Sequence, residues 1–149
     1  MSIQLPKNSI EFIPHEQPMV FVDVLTELGE NFACAELQIR PELMFCDEQG
    51  LPTWASIELM AQTVSLFAGA KSQSVGKKTK IGFLLGTRKL NLPIAYFALG
   101  KTIKIRAEQQ YLHEGLGQFS CQIEYGEYII SAMLSVYEPE NISDISFKI

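Results

Sequence analysis

The residue most able to do chemistry in this 149-residue chain is Glu58, the only ionisable side chain between Glu48 and Lys71. It follows Trp54 by four positions and Ile57 by one, and precedes Ala61 by three, so on a helix it lies within an apolar stripe. An unpaired carboxylate there is costly, or else stays protonated with a raised pKa. Two readings follow: a carboxylate at the solvated edge of the stripe, or an acid/base held in a dry cleft. Gln62 lies one helical turn later and can hydrogen-bond Glu58, although a glutamine on a helix more often faces solvent. His15 stands between Pro14 and Pro18, which stiffen its segment and present the imidazole at little entropic cost. Its value as a base is a pKa near operating pH, and its bland alternative is an exposed loop histidine. The other histidine, His113, sits beside Glu114 and Gly115 at a hairpin turn and reads as solvated surface. The loop Cys46–Gly50 precedes the helix, whose N-terminal amides suit a developing oxyanion or ordinary capping by Asp47 or Glu48.

Composition narrows the class of protein that holds these groups. The chain is 47% hydrophobic and 19% charged, with twelve basic against seventeen acidic residues and a net charge of −5. One domain of this length buries roughly two-thirds of its unfolded surface. The apolar share excludes a disordered chain. The acidic balance, with no basic run beyond Lys77-Lys78, argues against nucleic-acid binding. No apolar run approaches the ~18 residues of a membrane span, and the N-terminus lacks the build of a signal peptide. Cys34, Cys46 and Cys121 form no C-x-x-C pair and read as small buried hydrophobes of a cytoplasmic protein. Cys46 is a poor nucleophile, because Asp47 and Glu48 would raise its pKa. No spacing of Cys and His resembles a metal ligand set.

The elements that must position Glu58 and His15 follow from periodicity. Residues 20–28 are rich in β-branched and apolar types, 29–31 signal a turn, and 32–39 alternate, which makes a hairpin. Residues 53–70 switch to helical spacing, with Trp54, Ile57, Ala61, Val64 and Ala68 on one face. Leu59, Met60 and Phe67 add apolar surface elsewhere, so the helix is covered on most sides. Thr53 is the expected N-cap, and Gly69, Gly76 and nearby lysines mark the exit. Strands follow at 81–90, 101–111, 118–125 and 128–137, with an irregular connection over 92–100. One long helix against an antiparallel sheet of about six strands is an α+β arrangement. The chain reads as one domain, 1–149, with its core in 12–138 and a polar tail from 139.

Four segments carry a resemblance. Pro14-His15-x-x-Pro18-Met19-x-x-x-Asp23 looks like the N-terminal signature of hotdog-fold 3-hydroxyacyl-[acyl carrier protein] dehydratases. Ile57-Glu58-Leu59-Met60-Ala61-Gln62 resembles their central-helix motif. Ile81–Gly86, and Leu92-Pro93 through Gly100-Lys101, resemble the strand and connection that follow. More narrowly, Gly50–Trp54 with Gly82–Arg88 is similar to the dehydratase branch associated with aryl-polyene gene clusters. The main fatty-acid dehydratases carry a catalytic histidine in the loop before the helix. Here that loop, Met44–Gly50, has none. Either His15 takes its place, or the enzyme works differently, or activity is lost; the first is adopted because no other histidine has an approach to the site.

The resemblance implies a hotdog fold, in which a curved sheet wraps the central helix, and a cofactor-free dehydration of a 3-hydroxyacyl thioester to the 2-enoyl thioester. His15 would remove the α-proton. Glu58, kept neutral by its apolar walls, would protonate the leaving hydroxyl. Backbone amides near Thr53 and Trp54 would hold the thioester carbonyl. Gln62, Met60, Val64 and Phe67 complete the expected substrate contacts. The family's two catalytic groups come from different subunits, which implies a homodimer or a dimer-based higher oligomer, with a hetero-partner of the same fold as a variant. Acyl carrier protein would be the substrate-bearing partner, docking on a basic patch of Lys77, Lys78, Lys80, Arg88 and Lys89. Two alternatives stay open: a hotdog acyl thioesterase, and a catalytically inactive acyl-binding partner subunit.

Overall fold

The computed structural model describes residues 4–15, 17, 19–76 and 82–139. Its strands are β1 (Lys7–Asn8), β2 (Val24–Leu28), β3 (Phe32–Gln38), β4 (Leu51–Pro52), β5 (Phe83–Arg88), β6 (Tyr96–Phe97), β7 (Thr102–His113), β8 (Leu116–Tyr125) and β9 (Tyr128–Tyr137). A single α-helix, α1, spans Ser56–Ser74, and 3-10 turns occupy Ser9–Glu11 and Thr53–Ala55. Seven strands form one antiparallel sheet in the order β1-β2-β3-β7-β8-β9-β5. The expected α+β arrangement therefore holds, with seven strands rather than six. The extra strand is the two-residue β1. Within the irregular connection over 92–100, β6 pairs with β4 from before the helix in a separate short ladder, Leu51 opposite Phe97.

Alternation along the strands explains why the helix lies where it does. Ile103, Ile105 and Ala107 of β7, Phe119, Cys121 and Ile123 of β8, and Ile130, Ala132 and Leu134 of β9 are all buried on one face. Helix α1 packs against β7, β3 and β8. Its core side is Leu59, Met60, Thr63, Leu66, Phe67 and Ala70. The stripe expected from sequence, Trp54-Ile57-Ala61-Val64-Ala68, is a different side. Trp54 is 54% exposed, and Ile57, Ala61 and Ala68 are only half-buried. A helix apolar nearly all round gives no periodic signal for which face meets the sheet.

The helix ends also differ from the sequence reading. α1 starts at Ser56, its N-cap Ala55 offers no side-chain bond, and Thr53 sits in the preceding 3-10 turn. The Thr53 hydroxyl donates instead to the carbonyls of Ile94 (2.6 Å) and Ala95 (3.3 Å). Asp47 caps its own loop, accepting from Gln49 N at 2.7 Å. Gly69 does not mark an exit. It lies inside the helix because the Phe12 carbonyl packs onto it, and a Cβ there would overlap that oxygen. The chain leaves the helix at Gly76, whose φ of +74° suits glycine.

Residues 20–22 read as strand but stay outside the β2–β3 ladder, which begins at Val24. Their amides are taken by a side chain of the helix: Phe21 N and Val22 N both donate to Gln62 Oε1, at 2.9 and 3.3 Å. The described residues of 12–22 thus cross the helix as a strap, fixed at Gly69 and Gln62, and a bond from Gln73 Nε2 to Glu11 O (2.5 Å) holds the residue before it.

Candidate active site

The strap is what brings His15 to Glu58. Gln62, one turn after Glu58, binds the strap's main chain at Met19 O (2.6 Å), Phe21 N and Val22 N, and so lays the segment along the first half of α1. His15 Nε2 then lies 3.5 Å from Glu58 Oε1, with the two side chains 25% and 35% exposed. Gln62 Nε2 donates to the same oxygen at 3.0 Å. Both acid/base candidates thus meet within one chain.

Electrostatics departs from expectation. Burial pushes the Glu58 pKa up, and it is the largest single influence. The hydrogen bonds from His15 and Gln62, and the His15 charge, together outweigh it and hold the carboxyl below its ordinary value. The direction is opposite to the raised pKa that its apolar neighbours suggested.

His15 and Glu58 open into a groove of about 400 Å³, in the range of small-molecule sites. One wall is the helix side that carries Ala61, Val64 and Ala68, whose small residues leave the space open. Phe67, Phe119 and Val136 supply much of the remaining apolar surface, and Lys71 lines the groove towards the helix C-terminus. From Glu58 to Lys71 the axial rise is about 20 Å at 1.5 Å per residue.

The other residues singled out in the sequence fall in different places. Val64 and Phe67 line the groove. Met60 is fully buried in the core and does not line it. Gln62 is fully buried and binds protein atoms. Thr53 N donates to Ala95 O at 2.9 Å, which commits that amide to the fold. Trp54 stands outside the groove, with its ring 5.0 Å from that of Phe45. His113 is exposed beside Glu114, as expected. Of the basic patch, Arg88 and Lys89 are exposed, while Lys77, Lys78 and Lys80 lie outside the described residues.

The cysteines offer no nucleophile. Burial raises Cys121 to about 12 and, with Glu27 adding to it, Cys34 to about 11; burial and Asp47 also push Cys46 up. Among the described residues no group of three His, Cys, Asp or Glu side chains could hold a metal ion. No helix among them is long and apolar enough to cross a membrane. Sequence reasoning missed Ala61 and Ala68 as groove-wall residues and Gly69 as the seat of the strap. The recurrence of small residues at 61, 65, 68, 69 and 72 was the available signal.

Comparison with known structures places the fold. The chain matches one from the dehydratase heterocomplex ApeI:P of Xenorhabdus doucetiae, with a TM-score of 0.83, 23% identity and 95% of each chain covered. It matches a HP0420 homologue from Helicobacter felis with a TM-score of 0.60 and 14% identity, over 83% of this chain and 92% of that one. A hypothetical thioesterase from Streptococcus pneumoniae, solved with coenzyme A, matches with a TM-score of 0.59 and 13% identity, over 76% and 83%. These are hotdog-fold proteins, and the helix-on-sheet architecture here is that fold. A comparison with curated proteins found no match. The family model of the ApeP dehydratase covers residues 8–146, which take in the helix and strands β2 to β9, and the chain belongs to the ApeP-like dehydratase family.

Proposed function

We propose that the chain dehydrates a 3-hydroxyacyl thioester carried on acyl carrier protein to the 2-enoyl thioester, in the synthesis of an aryl polyene or related acyl chain. The observation that carries this reading is the His15–Glu58 contact at the mouth of an apolar groove. Dehydration needs a base at the α-carbon and an acid at the β-hydroxyl, on groups close enough to bracket two adjacent carbons. His15 takes the α-proton, and the C–H electron pair becomes the new double bond. The C–O bond breaks, and Glu58 supplies the proton with which the hydroxyl leaves as water. The proton on His15 then passes back to Glu58, which restores the pair.

Glu58 starts as a carboxylate, so the acid form must arise on binding. Substrate filling the groove removes water from the pair. Burial, already the largest influence on Glu58, then grows and favours imidazole with carboxylic acid over imidazolium with carboxylate. The thioester carbonyl would rest at the start of α1, beyond Thr53, whose amide is committed. The acyl chain would run along Ala61, Val64 and Ala68.

A second hotdog chain, either a copy or a hetero-partner, is part of the reading. Among the described residues the sheet ends on β5 with its outer edge unpaired, and Leu84 and Leu85 there are 43% and 58% exposed. The thioesterase alternative uses the same carboxylate to activate water at the carbonyl. Incubation with a 3-hydroxyacyl carrier-protein thioester, followed by mass spectrometry, separates the two. Loss of one water from the loaded carrier supports dehydration, release of free acid supports hydrolysis, and an unchanged carrier supports a binding subunit.

A further inference from the structure

Gln62 is fully buried, and both ends of its amide are occupied. Its Oε1 accepts from Phe21 N and Val22 N, and its Nε2 donates to Met19 O and to Glu58 Oε1. The orientation of the amide is fixed by its partners. Two main-chain N–H groups can be met only by the oxygen, and the Met19 carbonyl only by the NH₂. One Nε2 hydrogen therefore points at Glu58 Oε1 whatever the protonation state of the carboxyl.

Two consequences follow for the reacting atoms. Glu58 Oε1 must be an acceptor, so a proton on Glu58 belongs on Oε2, which has no partner among the described residues. His15 Nε2, facing the same Oε1, must carry hydrogen, because a lone pair there would face a second lone pair. The neutral ring then has its lone pair on Nδ1. That atom is enclosed and unpartnered, and a bare lone pair costs less to enclose than an N–H group. We infer that Gln62 is a positioning residue: it fixes the resting Glu58 with Oε2 turned free and holds the resting His15 with its hydrogen on Nε2. The substrate this arrangement serves rests on the dehydratase reading above, whereas the atoms assigned do not.

The groups that bear on Glu58 are few. His15 from the strap is the one ionisable side chain among the described residues that influences its charge, and Gln62 is its neutral donor. Glu30, Lys71 and Glu138 line the same groove without contributing.

The test uses the full-length chain and needs no substrate. The chain has two histidines, so His113→Gln leaves His15 as the sole imidazole signal in ¹⁵N NMR. The neutral His15 ring is expected as the Nε2–H tautomer with bare Nδ1. In Gln62→Glu, which keeps an acceptor for Phe21 N and Val22 N, and in Gln62→Met, the tautomers should mix. The carboxyl titration of Glu58 should also move upward, and turnover should fall about ten- to hundredfold with KM held, as for loss of a hydrogen bond to a charged group. Gln73→Met removes another tether of the same strap, the bond to Glu11 O, and should leave the tautomer unchanged. A wild-type Nδ1–H tautomer, or a tautomer indifferent to both Gln62 variants, overturns the inference. Failure of both variants to fold does so too, since Gln62 would then serve the fold alone. A tautomer that responds in a protein with no dehydratase activity upholds the inference and removes the function instead.

Discussion

Gly69→Ala separates the helix's own preference from the position of the strap. In an isolated helix this change is stabilising by about 1 kcal/mol. Here the added Cβ would lie inside the Phe12 carbonyl oxygen and 2.9 Å from its carbon. Carbon atoms prefer separations of roughly 3.5–4.0 Å, so the carbonyl carbon must retreat by at least about 0.6 Å and the oxygen by more. Both the obstacle and the new methyl are attached to backbone, and relief therefore moves the strap as a whole. Overpacking of this kind costs about 1–3 kcal/mol. Phe12 is three residues from His15, and a displacement near 1 Å at a catalytic group can cost about 10²-fold in rate. The expected result is a lowered Tm, together with a fall in kcat of about ten- to hundredfold at nearly constant KM, read from thermal melts and steady-state dehydration. A variant with a raised Tm and unchanged kcat would refute the reasoning, because it would mean the strap is not seated on Gly69.

Two further outcomes follow from the site. Since the folded chain holds the Glu58 carboxyl below its ordinary value of 4.5, its contribution to stability is present above that value and is lost as pH falls through the lower folded-state one. Glu58→Gln should therefore flatten the acid side of the Tm–pH curve while lowering activity by about 10²-fold or more; a curve as steep as the wild type's speaks against an ionised Glu58. Ala68→Leu places bulk on the groove wall, almost three turns beyond Glu58. It should reduce kcat/KM for long acyl chains about tenfold and leave short ones unchanged, and a uniform loss across chain lengths would mean the acyl group lies elsewhere.

The sequence carried the architecture well, because strand alternation and a long helical segment are local signals. It carried the site unevenly. Glu58 stood out because charge is scarce around it, and the stiff Pro-flanked segment made His15 a candidate. Their meeting depends on long-range contacts, the seat on Gly69 and the clamp at Gln62, and no periodicity announces either. Gln62 itself was read as a substrate contact, since a glutamine beside a glutamate on a helix looks the same whether it meets solvent, substrate or a strap. Residues 20–22 were read as strand for a related reason: they are extended and apolar, yet their amides bond to a side chain rather than to β3. The side of the helix that meets the sheet stayed hidden because nearly every face is apolar. The lowered Glu58 pKa stayed hidden because neighbours in sequence show its burial but not the two donors that outweigh it.

The central claim is that His15 and Glu58 of one chain form one catalytic pair. Co-expressing a His15→Ala chain with a Glu58→Gln chain, and assaying the mixed assemblies with a 3-hydroxyacyl carrier-protein thioester, tests it directly. If the pair is built within one chain, no mixed assembly contains an intact site, and the mixture should be as inactive as either variant alone. Recovery of dehydration in the mixture would contradict the account, because it would require His15 of one subunit to serve Glu58 of the other.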